Sequence, residues 1–142
     1  MVSQGVGRWI LRGVATATVV NGYLADLNPT HLFNPRWPPH AKFHDATTIL
    51  AGTFLGGTAF ALLRRRADAE GLGMAAWLLA CFWLSLGGSV LFPETAEVDP
   101  EFAHLVPRIA GVPIAQTAFS VLMLLATGAG YGLERAQLQG TQ

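Results

Sequence analysis

The chain has 142 residues, of which 51% are hydrophobic and 13% are charged, and its nine basic and nine acidic residues give a net charge of zero. Soluble domains use charged residues for about a quarter of their sequence, so the composition argues against an ordinary soluble domain. It also excludes a typical nucleic-acid binder, which carries a basic excess, and we expect no nucleic acid among the partners. With a single cysteine, an internal disulfide is excluded as well.

Long charge-free stretches indicate membrane helices. The first candidate runs from Trp9 to Leu27 and contains Arg12, whose long side chain can snorkel to the lipid headgroups. The other three contain no charged residue and cover residues 46–63, 71–93 and 109–133, which are 18, 23 and 25 residues long. About 20 helical residues cross the hydrocarbon core of a bilayer, where a helix satisfies its own backbone hydrogen bonds.

These stretches predict an all-α fold, an integral-membrane bundle of four transmembrane helices that forms a single domain over residues 1–142. The helices are expected at about 8–27, 39–64, 71–93 and 106–134. The alternative for the first stretch is a cleaved signal peptide. No Ala-x-Ala-like cleavage site follows it, which favours a retained helix.

The positions of the basic residues predict the orientation. The triple arginine Arg64-Arg65-Arg66 directly follows the second stretch, and cytoplasmic loops are rich in Lys and Arg. With both termini cytoplasmic, six basic residues lie inside and three outside. The outer side then holds every histidine and six of the nine acids: His31, His40, His44, His104, Asp26, Asp45, Glu94, Glu97, Asp99 and Glu101. Any acid–base or metal site is therefore expected on the outer face.

The segment between the first two helices holds most of these groups. Four prolines within residues 28–45 make it a rigid connection. Pro39 suits the first turn of a helix, so the second helix is expected to begin there and to reach Leu63. His40 and His44 then lie four residues apart on one helical face.

Two chemical interpretations of this segment remain open. In the first, His31, His40 and His44 bind a transition metal, zinc or iron, with an acid such as Glu94 completing the site. In the second, a histidine–carboxylate pair acts as general acid and base on an apolar substrate, either His44 with Asp45 or His40 with Glu94.

A third interpretation is structural. Trp37 and Phe33 would anchor the segment in the headgroup region, and its histidines would bond backbone or lipid phosphate. Elsewhere, Asn21 and Gln116 lie towards the outer halves of their helices, and a buried carboxamide needs hydrogen-bond partners.

Glycines spaced four apart indicate close helix packing. They occur at Gly52 and Gly56 and again at Gly128 and Gly132. This spacing lets helix backbones approach each other in a membrane, either within the bundle, which we favour, or between two copies of the chain.

The run from His31 to His44 is His-Leu-Phe-Asn-Pro-Arg-Trp-Pro-Pro-His-Ala-Lys-Phe-His. It resembles the signature of an uncharacterised family of small four-helix membrane proteins of fungi and bacteria. The resemblance implies the four-helix architecture and the importance of this loop, and it implies no reaction. More loosely, the chain is similar in architecture to the emopamil-binding, sterol-isomerase-like membrane proteins, whose bundles carry His and Glu in a lipid-facing cavity. Here the charge-free stretches contain no Glu or His.

The sequence thus predicts an integral membrane protein with a histidine–carboxylate site on its extracytoplasmic face. Its expected partners are the lipid bilayer and a small hydrophobic or lipid-like molecule. The alternative is a non-catalytic membrane subunit that packs against a partner, or a second copy of the chain, through glycine-rich helix faces.

Overall fold

The computed structural model describes residues 5–140. Most of this part of the chain is helical, and its four α-helices are α1 (Val6–Ala25), α2 (Pro39–Arg65), α3 (Ala69–Gly88) and α4 (Gln116–Gln139). Two short 3-10 helices, Ser89–Leu91 and Pro100–Leu105, and two short strands, β1 (Arg108–Ile109) and β2 (Val112–Pro113), lie between α3 and α4.

Local sequence signals explain the boundaries of α2 and α3. Pro38 has an extended backbone, with φ −65° and ψ 152°, and Pro39 occupies the first helical position, as expected from the fixed φ of proline. The carboxylate of Asp68 caps α3 by accepting a hydrogen bond from the Gly71 backbone N–H at 2.7 Å. The connection between these two helices is only residues 66–68, so they pack as an antiparallel pair.

The fourth helix begins later than the sequence predicts. It starts at Gln116 and not near residue 106, because the preceding residues form the antiparallel β1–β2 hairpin. The turn of this hairpin places Ala110 and Gly111 at positive φ, 50° and 80°, as a tight two-residue turn requires. Pro113 also lacks the backbone N–H that the interior of a helix would need there. The absence of charged residues before Gln116 therefore correctly indicated an apolar segment, but an apolar segment need not be helical.

The four helices form a ring in chain order, each packed on its two sequence neighbours, with α1 and α4 closing the ring. Gly52 and Gly56 face α1, where an added Cβ would lie 2.9 Å from the Thr18 and Ala15 carbonyl oxygens. The close approach of α1 and α2 thus depends on glycine, as favoured from the sequence. Gly128 and Gly132 instead face away from the described part of the chain, with no atom within 4 Å of an added Cβ.

Trp83 lies at the centre of the bundle and is fully buried. Its indole Nε1 donates a hydrogen bond to Thr18 Oγ1 at 2.9 Å, which links α3 to α1. Its ring also makes edge-to-face contacts with Phe82 and Phe119, at centroid distances of 5.1 and 5.4 Å. Aromatic pairs of this geometry stabilise a core beyond the area they bury.

Two buried arginines of α1 link it to α2 and α4 at the end of the bundle where α1 begins. Arg8 is buried, and its Nε donates to Glu134 Oε1 of α4 at 2.8 Å. Its Nη1 also donates to the carbonyl oxygens of Leu63 and Arg66, and Arg12 Nη2 donates to Leu63 O at 2.8 Å. Arg12 therefore turns into the bundle, where it bonds the Leu63 carbonyl near the end of α2, and not outward to lipid headgroups.

Two helices of the described residues are long and apolar enough to cross a membrane: α2, and α3 extended to Leu91. Only 28% and 22% of their most apolar windows are buried inside the molecule. Large apolar side chains on the outer surface include Phe54, Trp77 and Leu125, which are 69%, 65% and 67% exposed. The lateral surface of the bundle, around the outside of its helices, is therefore itself apolar.

Candidate functional site

A cavity of about 650 Å³ lies at the end of the bundle where α1 ends and α4 begins. Its walls are mainly apolar and come from all four helices and from the α1–α2 and α3–α4 connections. The apolar lining includes Leu24, Phe82, Leu86, Val98, Phe102, Val106, Ile114 and Phe119. Polar lining is confined to a few side chains: Asn21, Asp26, Thr30, His31, Thr48, Glu97, Asp99 and Gln116.

The loop after α1 brings Asp26 and His31 together at this cavity. Asn28 organises the loop, because its Nδ2 donates to the Ala25 carbonyl at 2.6 Å and so caps the end of α1. Its Oδ1 accepts hydrogen bonds from the backbone N–H and the hydroxyl of Thr30, at 2.8 and 2.6 Å. The Leu32 N–H then returns to the Asp26 carbonyl at 3.0 Å. These local bonds fold the loop tightly over the cavity.

The hydrogen bonds of Thr30 determine which nitrogen of His31 carries the proton. The Thr30 hydroxyl proton is donated to Asn28, so Thr30 Oγ1 accepts at its 2.7 Å contact with His31 Nδ1. Neutral His31 is therefore protonated at Nδ1. Its Nε2 is then an acceptor and lies 3.9 Å from Asp26 Oδ1.

The environment of Asp26, just beyond the end of α1, raises its pKa. Burial, as the main cause, together with the nearby charge of Asp45, raises the pKa of Asp26 to about 6, and His31 opposes this rise. Asp26 is only 8% exposed. Near neutral pH the site therefore holds a carboxyl that takes up a proton easily, beside an imidazole nitrogen that can accept one.

Acidic side chains from the connection between α3 and α4 form the opposite wall. Glu97 Oε1 accepts hydrogen bonds from the backbone N–H, at 3.1 Å, and the hydroxyl of Thr117, and so caps the start of α4. Trp37 Nε1 donates to Asp99 Oδ2 at 3.4 Å, and the Trp37 ring meets His31 edge-to-face with centroids 5.2 Å apart. An ion pair between Arg36 and Glu101 also joins the two connections.

The structure separates the histidines that the sequence grouped. His40 and His44 lie on one exposed face of α2, with their Nε2 atoms 3.1 Å apart, as their spacing predicts. Neither lines the cavity, whereas His31 does. Within residues 5–140 no group of three or more His, Cys, Asp or Glu side chains is placed to hold a metal ion, so the zinc or iron site of His31, His40 and His44 is not assembled.

The expected carboxylate partners lie elsewhere too. Glu94 is exposed at a turn with φ 61° and does not line the cavity. Asp45 turns from the exposed histidine face of α2 towards Asp26, on which its charge acts, and its Oδ2 is buried with no hydrogen bond. The structure thus brings His31 and Asp26 together at the cavity, while catalytic roles for the pairs His44–Asp45 and His40–Glu94 stay predictions.

Residues 10–142 match a protein family described as Family of unknown function (DUF6640). The chain belongs to this family. Comparisons with curated proteins and with solved structures give no match. Membership of an uncharacterised family is thus confirmed, while its occurrence in fungi and bacteria, its loop signature and the looser similarity to emopamil-binding proteins stay predictions.

For this DUF6640 member, Asp26, Glu97 and Asp99 are the acidic cavity residues that sequence reasoning did not single out. They were grouped only as outer-face acids, because nothing in their spacing shows which of them meet. One available signal was Asp-x-Asn-x-Thr-His over residues 26–31, since Asn and Thr at these positions favour side-chain-bonded turns. Such turns return the chain onto the end of α1 and bring His31 back to Asp26.

Proposed function

We propose that this chain is an integral membrane protein that binds a small hydrophobic or lipid-like molecule in its outer cavity. In this proposal all four helices span the bilayer and both termini are cytoplasmic. The observation that carries it is an apolar cavity of about 650 Å³ with Asp26 and His31 adjacent at its polar end. Cavities of about 300–1,000 Å³ with few polar groups are typical of small-molecule sites.

Membrane insertion is supported by where the apolar side chains lie. The apolar windows of α2 and α3 are mostly unburied, unlike the core helix of a soluble protein. α1 and α4 have 20 and 24 residues, long enough to cross about 30 Å of hydrocarbon at 1.5 Å per residue. The charges of α1 that would oppose insertion, those of Arg8 and Arg12, face Glu134 and backbone carbonyls within the bundle.

The polar end of the cavity suits a ligand with one neutral polar group. His31 Nε2 offers an acceptor, and Asp26, whose pKa is raised to about 6, offers a donor in its protonated form; together these two groups satisfy a hydroxyl group. The same two atoms would serve as general base and general acid if the ligand reacts. Recognition of an anionic group is disfavoured, because the described lining contains the acids Asp26, Glu97 and Asp99 and no Lys or Arg.

A photoactivatable fatty alcohol, incorporated in vesicles containing the protein, tests this proposal. Cross-links are expected at cavity residues such as Phe102 and to be competed by unlabelled fatty alcohol. His31→Gln removes the proposed hydrogen bond from the ligand hydroxyl to His31 Nε2. Its loss should weaken the binding free energy by about 1 kcal/mol and so reduce labelling of cavity residues about fivefold. The matched variant His40→Gln lies outside the cavity and should label as the wild type does. Equal labelling of both variants, or labelling only of outward-facing residues such as Leu125, would contradict the proposal.

The second candidate, a non-catalytic membrane subunit, is favoured by one observation. Gly128 and Gly132 leave an open strip of small residues on the side of α4 that faces away from the bundle. This candidate predicts that Gly132→Leu abolishes a complex with a partner or a second copy while cavity labelling persists. Cross-linking of intact membranes, followed by electrophoresis, measures both.

A further inference from the structure

Two histidines on the exposed face of α2, outside the outer cavity, lie close together. His40 and His44 are one helical turn apart near the start of α2, and their Nε2 atoms are separated by 3.1 Å. Their rings are nearly perpendicular, with an interplanar angle of 83° and centroids 4.6 Å apart. Both side chains are exposed to solvent. Two nitrogens of the kind that binds transition metals therefore lie side by side at the surface.

Phe43 supports both imidazole rings. Its ring is parallel to that of His40, with an interplanar angle of 1° and centroids 6.4 Å apart, and it meets the His44 ring edge-to-face at 5.7 Å. These contacts restrict the rotation of two side chains that an open helix surface would leave free. A ligand that binds both rings therefore loses less free energy in ordering them.

The separation of the two nitrogens matches a shared metal ion. Since a zinc–nitrogen bond is about 2.0–2.1 Å long, nitrogens 3.1 Å apart give an angle of about 100° at the ion. This angle lies between about 90° for a square-planar ion and about 109° for a tetrahedral one. Without an ion, one Nε2–H donates to the other Nε2. Metal binding needs this proton to move to Nδ1, as the imidazole tautomers allow.

We propose that His40 and His44 together bind one divalent transition-metal ion on the surface of α2. Imidazole suits Cu²⁺, Ni²⁺ and Zn²⁺, with Cu²⁺ the most tightly bound, whereas Mg²⁺ prefers oxygen ligands. The site differs from the expected three-histidine site, because His31 lines the cavity instead. Among residues 5–140 no third His, Cys, Asp or Glu completes the set, so water or an external oxygen ligand fills the other positions. The proposal depends on the regular helix α2 and not on the ligand of the outer cavity.

Electron paramagnetic resonance with Cu²⁺ tests the site on the full chain, purified in detergent without a histidine tag. One Cu²⁺ per chain should show hyperfine coupling to two imidazole nitrogens, and excess Mg²⁺ should not displace it. His40→Gln and His44→Gln should each abolish the two-nitrogen spectrum. The control His104→Gln removes an exposed histidine from the 3-10 helix Pro100–Leu105 and should leave the spectrum unchanged.

A shifted pair separates the spacing of the histidines from their number. His40→Gln combined with Lys42→His keeps four histidines in the chain, but residues 42 and 44 lie about 200° apart around a helix and cannot share an ion. This double variant should bind Cu²⁺ no better than His40→Gln alone. Added Ni²⁺ should also raise the resistance of the wild type to unfolding, because the pair exists only in the folded helix, and should not raise that of the double variant.

The proposal is overturned if the double variant or His40→Gln retains the two-nitrogen spectrum. Loss of this spectrum in His31→Gln would also overturn it, because the ion would then lie in a three-histidine site. Failure of the outer-cavity proposal is a separate result. Labelling of the cavity by the fatty alcohol, measured in the presence of a metal chelator, tests His31 while the metal site is empty.

Discussion

Arg8 and Glu134 join the beginning of α1 to the end of α4 through a buried ion pair, with Nε 2.8 Å from Oε1. Glu134 Oε2 also accepts a hydrogen bond from the Arg8 backbone N–H at 3.1 Å. The guanidinium extends further to the carbonyl oxygens of Leu63 and Arg66, where α2 ends. One arginine therefore ties three helices together at the end of the bundle opposite the outer cavity.

Removing the carboxylate should destabilise the bundle strongly. Glu134→Gln leaves the buried Arg8 charge without its counter-ion, and breaking a buried pair in this way costs about 3 kcal/mol. Unfolding by sodium dodecyl sulfate in mixed micelles measures the change in the free energy of unfolding. The control is Glu70→Gln, which interrupts an exposed pair with Arg66 and should change little. Similar effects of the two variants would show that the Arg8–Glu134 pair does not hold the helices together.

Asp26 should make the stability of the protein depend on pH. Its pKa is about 6 in the folded chain and about 3.9 when unfolded, so between these values the folded state binds the proton more tightly. Stability contributed by this group is therefore full below about pH 4 and falls as the pH rises through about 6. Asp26→Asn should abolish this fall, since the amide does not titrate.

The measurement is the free energy of unfolding of wild type and Asp26→Asn at intervals between pH 4 and pH 7. The difference should shift in favour of the variant as the pH rises. His31 and Asp45, the titratable groups that act on Asp26, are present in both proteins, so their own titrations largely cancel. Parallel pH profiles would mean that Asp26 is not held in its protonated form by burial.

Sequence reasoning located α2 and α3 well because their charge-free runs are bounded by prolines, arginines and a capping aspartate. It misplaced the start of α4, since absence of charge does not distinguish an apolar hairpin from a helix. It also expected Arg12 to point to lipid headgroups, although the chain buries it against the end of α2. The direction of the Arg12 side chain depends on where α2 ends in the folded bundle, and no local pattern in the α1 sequence predicts this.

Sequence reasoning considered the outer-face residues together, but it could not show which of their side chains meet in the folded chain. The spacing of His40 and His44 correctly placed them together, because a regular helix fixes neighbours four residues apart. The meeting of His31 with Asp26 depends instead on an irregular loop held by Asn28. Contacts between the α1–α2 and α3–α4 connections, such as that of Trp37 with Asp99, depend on tertiary packing and leave no sequence periodicity.

Thr18 should matter for stability through its hydroxyl. Thr18→Val keeps the shape of the side chain but leaves the buried Trp83 indole N–H without its acceptor, at a cost of about 1 kcal/mol for an interhelical bond in a membrane. Thr16→Val is the matched change, because Thr16 donates only to the Arg12 carbonyl of its own helix. In mixed micelles, Thr18→Val should lower the free energy of unfolding more than Thr16→Val does. Equal losses would show that the Thr18 effect comes from its bond to the α1 backbone and not from the bond to Trp83.

The crossing of α1 and α4 should tolerate no side chain at Gly7. A Cβ added there would lie 2.5 Å from Glu134 N and would also overlap the Gly130 carbonyl oxygen, and backbone atoms cannot move aside without separating the helices. Gly7→Ala should therefore destabilise the fold and loosen the Arg8–Glu134 pair beside it. Gly128→Ala, where an added Cβ meets no atom within 4 Å, should instead stabilise α4 by up to about 1 kcal/mol through helix propensity. Opposite signs in the unfolding free energies of these two Gly→Ala variants are the expected result, and a neutral Gly7→Ala would contradict the close crossing.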